Sequence, residues 1–120
     1  MKLLIVDDNA AVRRLIVSIV QPFADEVRES GDAADALAAY ESQRPDLVLM
    51  DICLKEVDGI TATREITAAD PKAKIVVVTD YDDDAFRHAA AQAGACGYVL
   101  KNNLLELVGI LRFMQEEDQR

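Results

Sequence analysis

The sequence predicts an α/β domain built as a parallel five-stranded sheet wound with helices on both faces. Three observations carry this. Short β-rich runs alternate with helical patterns from end to end, three of those runs are apolar without alternation, and Pro45, Pro71, Gly94 and Gly97 punctuate the gaps. Unbroken apolar strands need cover on both faces, and helical crossovers between parallel strands supply it.

The first strand is Leu3–Val6 (LLIV). Val12, Leu15, Ile16, Ile19 and Val20 then recur at i, i+3, i+4, i+7 and i+8, the spacing of a helix with one apolar face. The second strand, Glu26–Glu29, has the least apolar pattern of the five and leads into a helix over Ala33–Gln43. Leu47–Met50 (LVLM) and the helix Ile60–Ala69 form the third unit, and Ile75–Val78 (IVVV) and Asp82–Ala93 the fourth. The run Asp82-Asp83-Asp84 reads as acids complementing the positive end of that fourth helix. Gly97–Leu100 is the fifth strand, and Leu104–Met114 the last helix. Its face of Leu104, Leu107, Val108 and Leu111 is widened by Leu105, Ile110, Phe113 and Met114, a surplus that is either core or an interface.

A chain of 120 residues is expected to form one domain over its whole length. Thirteen basic against 22 acidic residues give a formal charge of −9, which argues against direct contact with nucleic acid, since phosphate backbones are held by clustered Lys and Arg. Two cysteines, Cys53 and Cys96, are too few for a disulfide framework or a zinc site and read as small hydrophobes. No signal-like leader and no membrane-length apolar run is present, so a cytoplasmic protein is expected.

In a doubly wound sheet the binding crevice lies beyond the carboxyl ends of the strands. Those ends offer Asp7 and Asp8, Asp51, Thr79 and Lys101. Three crowded carboxylates repel unless a cation shares the site. Mg²⁺ suits a small set of oxygen ligands and keeps several waters. Mn²⁺ is the substitute expected there. Asp8 and Asp51 are the expected direct ligands, with the Cys53 backbone carbonyl as a third and Asp7 acting through water or its field. A carboxylate beside a metal, a hydroxyl and a lysine suits phosphoryl transfer, with Asp51 as nucleophile and Lys101 and Thr79 taking phosphoryl oxygens.

At these positions the sequence resembles the receiver domain of two-component response regulators, over essentially the whole chain. The matching stretches are LLIVDDN, DLVLMDICLKEVDG with Asp58-Gly59, VVVTD and GYVLK. The resemblance implies a flavodoxin-like (βα)5 fold with strand order 2-1-3-4-5. It also implies that Asp51 takes phosphate from a phosphohistidine on a sensor histidine kinase or phosphotransfer protein. It makes Thr79 and Tyr98 the switch pair, Cys53 and Tyr81 the positions that tune phosphate lifetime, and the fourth helix, fifth strand and fifth helix the output face. An output protein, an output domain beyond this chain, or a homodimer through that face would read the signal. Turnover of an external substrate is not implied.

Three positions depart from the family pattern. Lys55 replaces a proline four residues after the acceptor, Asn102 replaces a proline after Lys101, and Asp80 stands where Ala or Gly usually follows the hydroxyl. A trans bond before Asn102 is expected, because a non-proline cis bond costs roughly 2.5–4 kcal/mol. Asp80 is expected to hinder anionic donors or to shorten the life of the acyl phosphate.

Plainer readings stand beside these. Asp7 or Asp8 caps the first helix; Thr79 merely ends a strand; Tyr98 is a half-buried edge aromatic; Lys101 is a surface lysine. His88, the single histidine, has no assigned role. The competing functions are an aspartyl-phosphate phosphatase, which wants a second acid where Cys53 stands, and a flavin carrier, which wants Gly, Ser and Thr where DDNAA stands. A receiver-like scaffold that is not phosphorylated is the third.

Overall fold

The structure, a computed structural model, describes residues 1–52 and 58–118. Its elements run β1 (Lys2–Val6), α1 (Ala10–Val20), β2 (Glu26–Ser30), α2 (Ala36–Gln43), β3 (Leu47–Met50), α3 (Gly59–Ala69), β4 (Ile75–Thr79), α4 (Asp84–Ala93), β5 (Gly97–Leu100) and α5 (Glu106–Asp118). All neighbouring strands are parallel and lie in the order β2-β1-β3-β4-β5. This is the flavodoxin-like arrangement, and it brings the carboxyl ends of β1, β3, β4 and β5 to one edge.

Alternate side chains divide each central strand between two apolar layers. Leu3, Ile5, Leu47, Leu49, Val76 and Val78 face α1 and α5, where Ile16, Val20, Leu107 and Leu111 cover them. Leu4, Val6, Val48, Met50 and Ile75 face the opposite way, against Tyr40, Ala62 and Ile66 of α2 and α3. Ile52, Val77 and Ala90 form a third cluster under α4. Every residue of β3 and β4 is buried, as unbroken apolar strands require. The edge strand β2 pairs only with β1 and none of its five residues is buried, which explains its weak sequence pattern.

Several expected boundaries shift for local reasons. Asp83 rather than Asp82 starts the fourth helix, its carboxylate accepting from the amides of Ala85 and Phe86, so only Asp84 lies in the first turn. Residues Ala33–Asp35 form a short 3-10 turn before α2, and Lys101–Asn103 another before α5, which therefore begins at Glu106 rather than Leu104. Leu15, expected on the buried face of α1, is 52% exposed. Val17 takes its place against the core. Leu105, just before α5, and Phe113 within it are 73% and 61% exposed and so belong to the surface. With Ile110, Met114, Val76 and Gly97 they border a groove of about 840 Å³. No described helix is long and apolar enough to cross a membrane.

One polar contact ties α2 to the end of α3. The Tyr40 hydroxyl, on a ring otherwise buried in the core, donates to Asp70 Oδ2 at 2.7 Å. Burial first, then the Asp70 carboxylate, pushes the phenol up to about 12. Asp70, held chiefly by that hydroxyl and then by the Lys72 amide, lies below its ordinary 3.8. A carboxyl lowered in the fold adds stability above its unfolded value, and that stability is lost as pH falls through the folded value. Asp70→Asn is therefore expected to lower stability by a constant amount at pH 5 to 8. In urea melts the gap between variant and wild type should close as pH drops below the ordinary 3.8.

Candidate phosphoacceptor and metal site

The site starts with how β1 and β3 end. Asp51 N donates to Val6 O at 2.9 Å and Asp7 N to Ser30 O at 3.0 Å, so both aspartates continue the sheet's hydrogen bonding past the last strand residues. Asp7 is 1% and Asp51 4% exposed, whereas Asp8 faces solvent. The cap of α1 is Asn9, whose Oδ1 accepts from the amides of Ala11 and Val12. Capping is thus done by the next residue, and the acidic pair faces the crevice. Asp7 Oδ1 accepts from Asn9 N at 2.9 Å, and Arg13 reaches back from α1 to donate to Asp7 O at 2.6 Å. Arg13 had no signal in the sequence, because its contact depends on how α1 sits over β1.

Carboxylate oxygens of Asp7, Asp8 and Asp51 lie within 4.8 Å of one another. Lys101, entering from the end of β5, places Nζ 2.9 Å from Asp7 Oδ2 and 3.3 Å from Asp51 Oδ2. Burial works against the charged ammonium, but the adjoining Asp7 carboxylate and the charges of Asp51 and Asp7 outweigh it and hold Lys101 above its ordinary 10.5. The lysine therefore stays protonated at any physiological pH. Among the described residues the ammonium of Lys101 meets Asp7 and Asp51, with Asp8 beside them. Asp7 Oδ2 meets it as a charge contact without hydrogen-bond alignment and is one of the buried oxygens with no hydrogen-bond partner among the described residues. An all-oxygen cluster of three carboxylates with a buried, unaligned oxygen fits a hard divalent cation. The expected carbonyl ligand Cys53, and the departure at Lys55, lie outside the described residues.

Thr79 is fully buried at the end of β4, and its Oγ1 accepts from Tyr81 N at 3.2 Å. Asp51, Thr79 and Lys101 line one cavity of about 230 Å³ with Asp8, Asn9 and Tyr81. Asp80 lines it too, so the departure after the hydroxyl puts a further carboxylate beside the pocket. Tyr98 lies on β5 outside this cavity, half-buried, and its hydroxyl donates to Tyr81 O at 2.6 Å. Among the described residues every peptide bond is trans, including the one before Asn102. His88 is exposed on α4.

A family model described as the response regulator receiver domain matches residues 3–112. The chain belongs to this family. This receiver is 39% identical to the chemotaxis protein CheY of Bacillus subtilis over 101 residues, 83% of this chain and 84% of that one. It is 35% identical over 103 residues to the DNA-binding transcriptional activator DevR/DosR of Mycobacterium tuberculosis, covering 84% of this chain but 48% of the relative. The chain thus spans about half the length of that relative. A crystal structure of a LuxR-family two-component response regulator from Aurantimonas sp. SI85-9A1 superimposes with a TM-score of 0.86 at 34% identity, covering 94% of this chain and 83% of that one.

Gly59, part of the motif that carried the resemblance, has a steric reason in this receiver. A Cβ there would meet Asp51 O at 1.9 Å and Ile52 Cα at 2.8 Å. Asp58 caps α3 through the Thr61 amide, so the first turn of that helix is pressed against the backbone that carries Asp51. Gly59→Ala is expected to cost about 1–3 kcal/mol in chemical denaturation, the range for overpacking. It should also shift the Asp51 amide resonance, because relief can come only by moving that backbone.

Proposed function

We propose that this receiver accepts a phosphoryl group on Asp51 from the phosphohistidine of a sensor histidine kinase or phosphotransfer protein, with Mg²⁺ or Mn²⁺ in the acidic cluster. The observation that supports it most is convergence: the Asp51 carboxylate, the Thr79 hydroxyl and the Lys101 ammonium line one small cavity, with the Asp7 and Asp8 oxygens beside it.

In this reading an Asp51 carboxylate oxygen attacks phosphorus as the bond to the donor nitrogen breaks, leaving an acyl phosphate. Lys101 is already charged and turns from the carboxylates to a phosphoryl oxygen. The Thr79 oxygen accepts from Tyr81 N, which leaves its hydroxyl proton to donate to another phosphoryl oxygen. Asp8 and Asp51 would hold the cation directly, Asp7 through water or its field. When bound, the cation would supply positive charge against the negative charge carried by the phosphoryl oxygens during transfer. Asp80 adds repulsion that slows anionic donors or shortens the product's life.

The chain is a switch and not a turnover enzyme. Drawing Thr79 toward the phosphoryl group disturbs the Tyr81 backbone, to which the Tyr98 hydroxyl is also bonded. The change would then be read on the α4-β5-α5 face by an output protein or an output domain beyond this chain, or through a homodimer. Leu105 just before α5, Phe113 on it and the groove beside them support a contact surface there.

Mixing the chain with Mg²⁺ and a small acyl phosphate or phosphoramidate, then measuring intact mass, tests the reading. One phosphoryl adduct is expected, absent in Asp51→Asn. Steady phosphate release from unrelated monoesters would favour a phosphatase, and no adduct from any donor an inert scaffold.

A further inference from the structure

Arg87 occupies a place that the phosphoryl chemistry leaves unexplained. It rises from α4 with its guanidinium carbon 4.5 Å from the centroid of the Tyr98 ring on β5. Its Nη2 and Nε both donate to Asp82 Oδ1, at 3.0 and 3.3 Å. The same ring is held at its far end by the bond from its hydroxyl to Tyr81 O, and Tyr81 N in turn bonds to Thr79 Oγ1. Tyr81 also packs its ring on Phe86 of α4, centroids 5.2 Å apart. Three segments therefore meet on one aromatic side chain: the loop after β4, the first turns of α4, and β5.

We propose that Arg87, clamped by Asp82 over the face of Tyr98, is a latch that holds the ring in its present position and so sets the threshold of the switch. This rests on the reading of Asp51 as phosphoacceptor and of Thr79 with Tyr98 as the switch pair. Arg87 is a positioning residue. It acts through Tyr98 and does not line the phosphoacceptor cavity.

A contact made in one arrangement and broken in the other biases the equilibrium by its whole value, whereas a contact kept in both biases nothing. A guanidinium over an exposed tyrosine face shifts an equilibrium by about 2- to 5-fold. The Asp82 pair, with side chains 41% and 68% exposed, adds little by itself. Its contribution is orientation, because the planar guanidinium stacks only when its face is presented to the ring. Displacing the ring forfeits the stacking and the bond to Tyr81 O together.

The sign separates a latch from a simple charge effect. Arg87 is a cation in a chain of net charge −9, so its removal on electrostatic grounds alone weakens binding of any anion. Removal of a latch strengthens binding of whatever favours the displaced ring. Beryllofluoride, a reversible mimic of the phosphoryl group, reads this as an equilibrium constant.

The test titrates the full chain with beryllofluoride in excess Mg²⁺, following the Thr79 amide and Tyr98 ring resonances. Arg87→Ala is expected to tighten apparent binding about 2- to 5-fold and to shift the Tyr98 ring resonances before any mimic is added. Arg87→Lys, which keeps a cation but not the planar face, should fall between. In a Tyr98→Leu background, which keeps bulk but removes the aromatic face, Arg87→Ala should change nothing. Unchanged or weaker binding in Arg87→Ala overturns the latch, as does a gain that persists with Tyr98→Leu. If the wild type binds the mimic and Asp51→Asn does not, such a failure falls on the latch alone; if the wild type takes up neither mimic nor phosphoryl group, both readings fall.

Discussion

Charge compression at the ends of β1 and β3 is the constraint on which the rest of the structure depends. Two almost fully buried carboxylates, Asp7 and Asp51, share one ammonium, and a third acid stands within reach. Burying like charges costs free energy, and pairing both with the Lys101 ammonium offsets only part of it. The surroundings make sense as a frame for holding that arrangement. The sheet continues its hydrogen bonding one residue past β1 and β3, Arg13 pins the Asp7 carbonyl, and Gly59 lets α3 press against the Asp51 backbone. Asn9 caps α1, so neither aspartate is needed for that task.

The same frame links the pocket to the surface. Thr79 belongs to the buried end of β4, yet its oxygen is tied to Tyr81 N, and the carbonyl of that same residue accepts from Tyr98. One residue's backbone therefore lies between the pocket and the β5 edge. Dense packing transmits displacement because filled cores shift between discrete arrangements and do not deform smoothly. The α4-β5-α5 side, with its exposed Leu105 and Phe113, is where a rearrangement of Tyr98 would be felt.

Much of this was legible in the sequence, for physical reasons. Unbroken apolar runs give the central strands almost to the residue, because strands buried on both faces leave no polar position to confuse the pattern. β2 was faint because an edge strand has little to bury. On α1, Leu15 and Val17 lie on opposite sides of Ile16 at equal helical angle, and the packing of the helix on the core covers Val17 and leaves Leu15 exposed. Asp7, Asp8, Asp51, Thr79 and Lys101 were legible because polar residues stand out where apolar strands end, and parallel strands bring those ends together. Arg13, Gly59 as a point of backbone contact, and Arg87 over Tyr98 were not, since each contact joins segments whose approach local pattern does not encode.

The acidic cluster is proposed as a cation site, its repulsion tolerated for the sake of binding. Thermal unfolding of the wild type and Asp8→Asn, each with and without Mg²⁺, tests it most directly. Free Mg²⁺ at about ten times its dissociation constant stabilises by about 1.4 kcal/mol, which raises the wild-type midpoint by about 5 °C in a domain of this size. Asp8→Asn, relieved of one like charge, should melt higher than the wild type without metal and gain nothing from it. A wild-type midpoint indifferent to Mg²⁺, or an Asp8→Asn protein that keeps the full response, would contradict the account.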